Sequence, residues 1–298
     1  MAVFNFGSIN IDHVYRVGHF VTPGETLSSK DYEAILGGKG ANQSIACAKA
    51  GIKTFHVGSV HCNDANMLTP MLDAAVEMKF VSQQNVSASG HAIIQVNDEG
   101  ENAIILYPGA NHLLNEDRIN TVLSKAASHD WVLLQNETNE IENIIHLAHN
   151  AGLKVAFNPA PMTDAVVKLP FEKISLLIVN EVEAMQLTAT SDSQQAKQAL
   201  MKMADKLEIL LTLGKRGVHY LHQQTDIFVP AYNVAAVDTT AAGDTFIGFF
   251  LAHFAKGADV TQALKIACAA SAISVTRNGA SPSIPTIEEV GEFLNAHS

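Results

Sequence analysis

Apolar and polar positions fall in blocks along this chain, and the block lengths predict the elements. The first block, Val3 to Phe6, is a short apolar run closed by Gly7 and a polar turn, Ser8-Ile9-Asn10-Ile11-Asp12. That is the pattern of a buried strand. Positions 13–35 alternate loosely around a Thr22-Pro23-Gly24-Glu25 turn, which predicts exposed strands rather than core. Gly37-Gly38-Lys39-Gly40-Ala41-Asn42 then opens a helix that runs through Ala50 and stops at Gly51, as helices commonly do at glycine. A strand over 54–60 and a helix over 64–78 follow. Segments 91–96 and 102–107 flank Asn97-Asp98-Glu99-Gly100-Glu101 and predict a hairpin.

After Pro108 the rhythm changes. Helical periodicity over 115–127, 140–151, 180–187 and 193–207 alternates with short apolar runs at 131–134, 155–157, 176–179 and 209–213. Such alternation implies a parallel sheet covered on both faces. A hairpin pairing 217–221 with 227–229 and helices over 243–256, 260–276 and 287–296 complete the chain. No fixed-period repeat or low-complexity linker interrupts it. The expected class is therefore α/β, a mostly parallel central sheet with helices on both faces, in one domain over 1–298. The antiparallel pieces at about 13–36 and 90–107 do not fit that rhythm and are expected to form a small β lid over the strand ends.

Composition narrows the partners. A chain of 298 residues with 47% hydrophobic and 16% charged positions is globular and can bury a large core. Its net charge of −11 argues against a general nucleic-acid or anionic-membrane partner. An anionic substrate then needs a local positive site. Three scattered cysteines, Cys47, Cys62 and Cys268, make no disulfide framework and favour a reducing compartment. With no leader pattern and no apolar run long enough to span a bilayer, a cytoplasmic protein is expected.

Ligands of open parallel sheets sit outside the carboxyl ends of the strands, and polar clusters recur at just those places. They are Asn10 and Asp12; Gln135-Asn136-Glu137; Asn158-Pro159-Ala160-Pro161; Asn180 with Glu183; and Thr212-Leu213-Gly214-Lys215-Arg216-Gly217. Gly37-Gly38-Lys39-Gly40 is neither a Walker loop nor a dinucleotide fingerprint. It reads as a glycine turn before a helix, or as a close backbone approach to a small polar ligand with Lys39 and Asn42 as donors. Asn180 and Glu183 have the spacing of a reciprocal helix cap; Glu183 also suits a water-mediated contact to Mg²⁺ beside nucleotide phosphates. Thr212 to Gly217 is a hairpin entry or a nucleotide cradle. Carbonyls near Ser274, Arg277, Gly279 and Ser283, with Asp238 and Thr240, could enclose a monovalent cation or simply end a helix.

The stretch Val237-Asp238-Thr239-Thr240-Ala241-Ala242-Gly243-Asp244-Thr245-Phe246 runs from small and polar residues straight into an apolar helix. Free N–H groups at such a start form an anion site. Asp244 is then either an early-turn carboxylate favoured by the helix dipole or a base beside a transferring phosphoryl group held by the 241–243 amides.

Nine segments together resemble the ribokinase-like family of carbohydrate and nucleoside kinases. They are Gly7 to Asp12, Thr22 to Thr26, Gly37 to Gln43, Gly100 to Asn102, Asn158 to Pro161, Asn180 to Ala184, Thr212 to Gly214, Asp238 to Phe246 and Thr276 to Ala280. They are colinear over essentially the whole chain. The resemblance implies ATP-dependent phosphorylation of a pentose, expected to be D-ribose at O5, with 2-deoxyribose, another pentose or a ketohexose as the enzymatic alternatives and a silent sugar-binding regulator as the non-enzymatic one. It implies sugar contacts at Asn10, Ile11, Asp12, Gly38, Lys39, Gly40, Ala41, Asn42, Glu137 and Asp244. Nucleotide contacts are implied at Asn180, Thr212, Leu213, Gly214, Lys215, Arg216, Gly217 and Gly243. Asp244 becomes the general base, and Ala241, Ala242 and Gly243 the anion hole. Potassium is implied at Asp238, Thr240, Ser274, Arg277, Gly279 and Ser283, Mg²⁺ at Glu183 through water, and a homodimer through the lid. The chain departs from the family pattern at Val60-His61-Cys62-Asn63-Asp64-Ala65-Asn66-Met67, where two glycines are absent, and at Asn136 and Ile247.

Overall fold

The computed structural model describes residues 1–297. Its strands are β1 (Ala2–Phe6), β2 (Asn10–Arg16), β3 (Asp31–Gly37), β4 (Lys53–His61), β5 (Glu77–Gln84), β6 (Gly90–Val96), β7 (Asn102–Tyr107), β8 (Trp131–Gln135), β9 (Lys154–Asn158), β10 (Leu176–Asn180), β11 (Glu208–Thr212), β12 (Val218–His222) and β13 (Thr225–Val229). Its helices are α1 (Lys39–Lys49), α2 (Thr69–Asp73), α3 (Glu116–Leu123), α4 (Ile141–Asn150), α5 (Glu181–Thr188), α6 (Ser193–Met203), α7 (Ala242–Ala255), α8 (Val260–Ser274) and α9 (Ile287–Ala296).

Nine strands form one sheet in the order β13-β12-β11-β10-β9-β8-β1-β4-β5, and four form a second in the order β3-β2-β6-β7. The large sheet is parallel from β11 to β5, with β12 and β13 added antiparallel at one edge. Alternation along its strands splits the core in two. Val3, Trp131, Leu133 and Ile178 pack with Ile45, Phe249, Phe250 and Leu264 from α1, α7 and α8. Phe4, Phe6, Val132, Leu134 and Val179 pack on the other face with Ile119, Ile144, Ile145 and Leu200 from α3, α4 and α6. The continuous apolar strand runs exist because both faces are buried.

From β1 the chain passes to β4 and β5 on one side and returns to β8 on the other, so the strand order reverses between β1 and β8. A crevice outside the carboxyl ends of the strands is expected there. The small sheet hangs from the same point, since only three residues separate β1 from β2.

Several expectations need correction. Residues 64–78 are not one helix but a 3₁₀ turn (Cys62–Leu68), the short α2, and edge strand β5. Ala75, at φ 60°, turns the chain out of the helix, and half-buried β5 lacks the apolar run of its neighbours. The polar turn assigned to 8–12 is already lid strand from Asn10, because β2 pairs with β3 and β6 from its first residue. The helices expected over 115–127, 193–207 and 260–276 stop earlier, at Leu123, Met203 and Ser274.

Candidate active site

Helix α7 starts from Ala241, an alanine held in left-handed backbone at φ 58°. Such strain costs on the order of 1 kcal/mol or more and survives only when the surroundings impose it. The Ala242 N–H turns back to the Thr239 carbonyl over a long 3.3 Å, so the three proposed anion-hole donors are not equally free. Gly243 is exposed, and a Cβ built there would meet nothing within 4 Å. The chain's own packing therefore does not demand this glycine; the open space lies at the mouth of a cavity of about 260 Å³.

Asp244 lines that cavity yet is only 8% exposed. Asn42 Nδ2 donates to its Oδ2 at 3.1 Å, and Gln43 Nε2 donates to its Oδ1 at 2.9 Å. Both donors come from α1, which reaches α7 where Gly248 has no side chain. A Cβ on Gly248 would sit 2.3 Å from the Ala46 Cβ. Gly248 is one turn beyond Asp244, and Ala46 is one turn beyond Asn42, so the glycine crossing sets the distance of the carboxylate from its donors. Burial pushes the Asp244 carboxyl above the usual carboxylate range, while Lys39, Gln43 and Asn42 pull against that rise. Lys39 is half-buried, which by itself would lower its pKa. Asp244, Glu137, Glu183 and Asp12 surround it and raise it instead, so it stays charged.

The lid lies nearby, with Asp12 within reach of the Lys39 and Glu137 charges, although none of its residues lines the cavity. Alternation along β2 puts Asn10 and Asp12 on one face and Ile11 on the other, so the Ile11 side chain leaves the site. Gly37 makes room for Asp12, since a Cβ there would lie 1.9 Å from its Oδ2. Burial and the nearby Glu137 carboxylate push Asp12 up to about 6, against the pull of Lys39. Asn111, which sequence reasoning missed, donates through Nδ2 to Asn10 Oδ1 at 2.7 Å and accepts from the Ile9 N–H at 2.9 Å. The Asn10 amide is thereby turned so that its NH₂ remains to be offered. Glu137 accepts from Ser8 Oγ at 2.5 Å and from the Lys39 N–H at 3.0 Å. The Gly40 and Ala41 amides are taken by Ser8 Oγ and the Ser8 carbonyl. These contacts commit Gly40 and Ala41 to holding α1 against the β1 turn; a Cβ on Gly40 would fall 2.2 Å from the Ser8 nitrogen.

On the far wall, Asn180 and Glu183 form the reciprocal cap their spacing predicts, and both also line the cavity. Of the 212–217 turn only Thr212 does so. Arg216 is drawn away to Glu181, and Gly217 is required because a Cβ would lie 2.2 Å from the Val229 carbonyl oxygen.

Comparison with known proteins gives the family of the chain. The family model described as pfkB family carbohydrate kinase matches residues 2–287. The chain belongs to the pfkB family of carbohydrate kinases. It is 36% identical to the ribokinase of Haemophilus influenzae over 97% of this chain and 96% of that one. It is 30% identical to the deoxyribokinase of Salmonella typhi over 99% of each. The structure of Arabidopsis thaliana ribokinase complexed with ribose and ATP superposes with a TM-score of 0.87, at 30% identity and 99% coverage of both chains. As a carbohydrate kinase the protein is a phosphotransferase, and its large sheet with a separate small one is the ribokinase-like fold.

Some of the residues expected around a monovalent cation are tied to one another, in two separate sets. Asp238 Oδ1 accepts from the Thr240 N–H and hydroxyl at 2.9 and 2.6 Å, and Oδ2 accepts from the Gly279 N–H at 2.9 Å. Ser274 and Ser283, both fully buried, share a hydroxyl bond of 2.9 Å. The Arg277 guanidinium instead turns to Glu289 at 2.6 Å, so only its backbone oxygen is available to that site. Among the described residues no cluster of three or more His, Cys, Asp or Glu side chains forms a metal site, and no helix is long and apolar enough to cross a membrane.

Proposed function

We propose that this kinase transfers the γ-phosphoryl group of ATP to O5 of D-ribose, giving ribose 5-phosphate and ADP. One observation carries the assignment of the base. Asp244 is buried among donors at the open start of α7, and Asn42, which donates to it, keeps its own Oδ1 buried and unpartnered. A buried acceptor of this kind calls for a donor, and a sugar hydroxyl next to the base supplies one. The Asp244 carboxylate takes the O5 proton as the O5–phosphorus bond forms. The bond from phosphorus to the bridging oxygen breaks, and ADP leaves with the electron pair. The Gly243 and Ala241 amides and the α7 dipole stabilise charge on the transferring oxygens, and charged Lys39 adds to them.

Asn10, Asp12, Lys39, Asn42 and Glu137 hold the sugar, and Asn180 with the 212–217 turn holds the nucleotide. A Mg²⁺ ion held through water by Glu183 would neutralise phosphate charge; a lone carboxylate on the cavity wall suits an ion that keeps its water. Oxygen atoms of Asp238, Thr240, Ser274, Arg277, Gly279 and Ser283 suit K⁺, which would order the turn before α7. Ribose is favoured over 2-deoxyribose because Asn111 occupies the Asn10 oxygen and leaves its NH₂ to pair with a hydroxyl, and a group built for such a pairing discriminates against its absence. The deoxyribokinase relative makes 2-deoxyribose the rival. Three free cysteines, two of them buried, agree with a reducing cytoplasmic setting. Two copies pair through the lid, whose outer strand exposes Ile104, Ile105, Leu106 and Tyr107. ADP release measured with ribose, 2-deoxyribose, fructose and nucleosides, with and without K⁺, tests the reading. Ribose should give the highest kcat/KM, and a higher value for any other sugar would replace it.

A further inference from the structure

Beneath the proposed base lies a polar network that the reaction as described does not use. Gln43, Ser44, Asn5 and His56 have no exposed surface, and Gln135 is 1% exposed. Five polar side chains do not stay inside a core without satisfying one another, and here each contact fixes the sense of the next. His56 Nε2 lies 3.1 Å from the Gly7 carbonyl oxygen, which can only accept, so Nε2 carries the hydrogen. Burial drives the His56 pKa down to about 3, so the ring is neutral and Nδ1 accepts from Ser44 Oγ at 2.8 Å. Having given its hydrogen, Ser44 Oγ accepts from Asn5 Nδ2 at 2.8 Å, which also donates to the Gly40 carbonyl at 2.8 Å. Asn5 Oδ1 must therefore receive, and Gln135 Nε2 donates to it at 3.0 Å. The same Gln135 Nε2 donates to Gln43 Oε1 at 2.7 Å. Only one face of the Gln43 amide is left, and Nε2 donates to Asp244 Oδ1. Asn158 agrees from the other side: its Nδ2 is tied to the Ile178 carbonyl, so its Oδ1 accepts from Gln43 at 3.4 Å.

We propose that Gln135 and Gln43 are positioning residues for the kinase reaction. By this directed chain they hold an N–H on Asp244 Oδ1, aim the carboxylate and keep it ionised for the sugar hydroxyl. Gln135 acts only through Gln43, and neither needs to touch substrate. The other charged groups facing Asp244 lie on different elements: Lys39 on α1, Glu137 after β8, and Glu183 on α5, with Asp12 of the lid beyond Lys39. None of them fixes the Gln43 amide. The proposal rests on the kinase reading, but its geometry can be tested apart from it.

Gln135→Glu keeps the shape and replaces the donor by acceptors. The Gln43 amide then turns its NH₂ toward the introduced carboxylate and its oxygen toward Asp244. The full-length enzyme should lose roughly 10- to 100-fold in kcat, the worth of one hydrogen bond to a charged group, with KM for sugar and ATP nearly unchanged. Gln135→Met removes the donor without adding charge and covers the case in which the Gln135→Glu enzyme does not fold. It should lose less kcat and move the acid limb of the kcat–pH profile upward, because Asp244 has lost part of the support for its charge. A merely structural role lowers kcat equally at every pH. Wild-type kcat with an unmoved acid limb in Gln135→Met overturns the proposal. Independently of any turnover, long-range proton–nitrogen NMR should show His56 as the Nε2–H tautomer; the Nδ1–H tautomer would reverse the chain and also overturn it. Failure of every sugar in the ADP-release panel would bring down the kinase substrate and leave this spectrum standing.

Discussion

Three carboxylates in this site are held against their ordinary chemistry. Asp244, Glu183 and Asp12 are all raised by burial, which makes ionising each of them costly within the fold. For Asp12 the sign is plain. Its carboxyl titrates near 3.8 in the unfolded chain and at about 6 in the folded one, so the folded state holds the extra proton between these values. Its contribution to stability therefore falls as pH rises through that window and does not recover above it. In the proposed sugar site, Asp12 is a charged acceptor only above about 6. The KM for ribose should accordingly rise about tenfold as pH falls from neutral to below about 6, the loss of one charge-assisted hydrogen bond, and Asp12→Asn should flatten that dependence. A pH-independent KM in the unsubstituted enzyme would remove Asp12 from the sugar site. Residues of this kind were legible as polar positions at strand ends. Asn111 was not legible at all, and Gln135 and Gln43 were legible only as a strand-end polar position and part of a family segment, because the contacts of these three residues reach up to about 200 positions away. One signal was present: Asn5 inside Val3-Phe4-Asn5-Phe6 is an amide in a buried strand, and it must find partners.

At the scale of elements, the site depends on where α1 meets α7. Gly248 allows the two backbones to approach, and one turn away that approach delivers Asn42 and Gln43 to Asp244. Gly248→Val forces the helices apart, since even one added carbon would overlap Ala46. The expected result is destabilisation of roughly 1–3 kcal/mol from overpacking, with kcat falling further than KM changes; thermal melting and initial rates read the two parts. Unaltered kcat in a folded Gly248→Val enzyme would separate the helix crossing from catalysis. Local signals predicted the helices well where caps announced them. The Thr286–Glu289 reciprocal cap gives α9 the bounds expected for it, and Asn180 does nearly the same for α5. They failed over 64–78, where no cap or periodicity separates α2 from β5. An edge strand only half buried does not carry the apolar run that betrays the central ones.

The whole molecule is a sheet with two packed faces and a small second sheet attached at the point where strand order reverses. One side of the lid carries Asn10 and Asp12, while its far edge, the apolar strand β7, pairs only with β6 and leaves its other side bare. Ile104, Ile105 and Leu106 are each more than half exposed, an edge that monomeric proteins rarely leave bare. Ile105→Lys should shift the protein from dimer to monomer in sedimentation velocity. If the unsubstituted chain is already monomeric, the lid has no such partner. The chain-wide fold was legible because parallel strands covered on both faces repeat one simple pattern. The sugar was not, since pattern alone does not reveal which hydroxyls the residues proposed to hold it would meet.

The chemistry proposed for this site turns on Asp244 as the base. ADP release by the Asp244→Asn enzyme, with ribose and ATP saturating, should fall by roughly 10²–10⁴ relative to the unsubstituted enzyme, while the folded state and ATP binding are retained. Turnover within a few fold of the unsubstituted enzyme would contradict it.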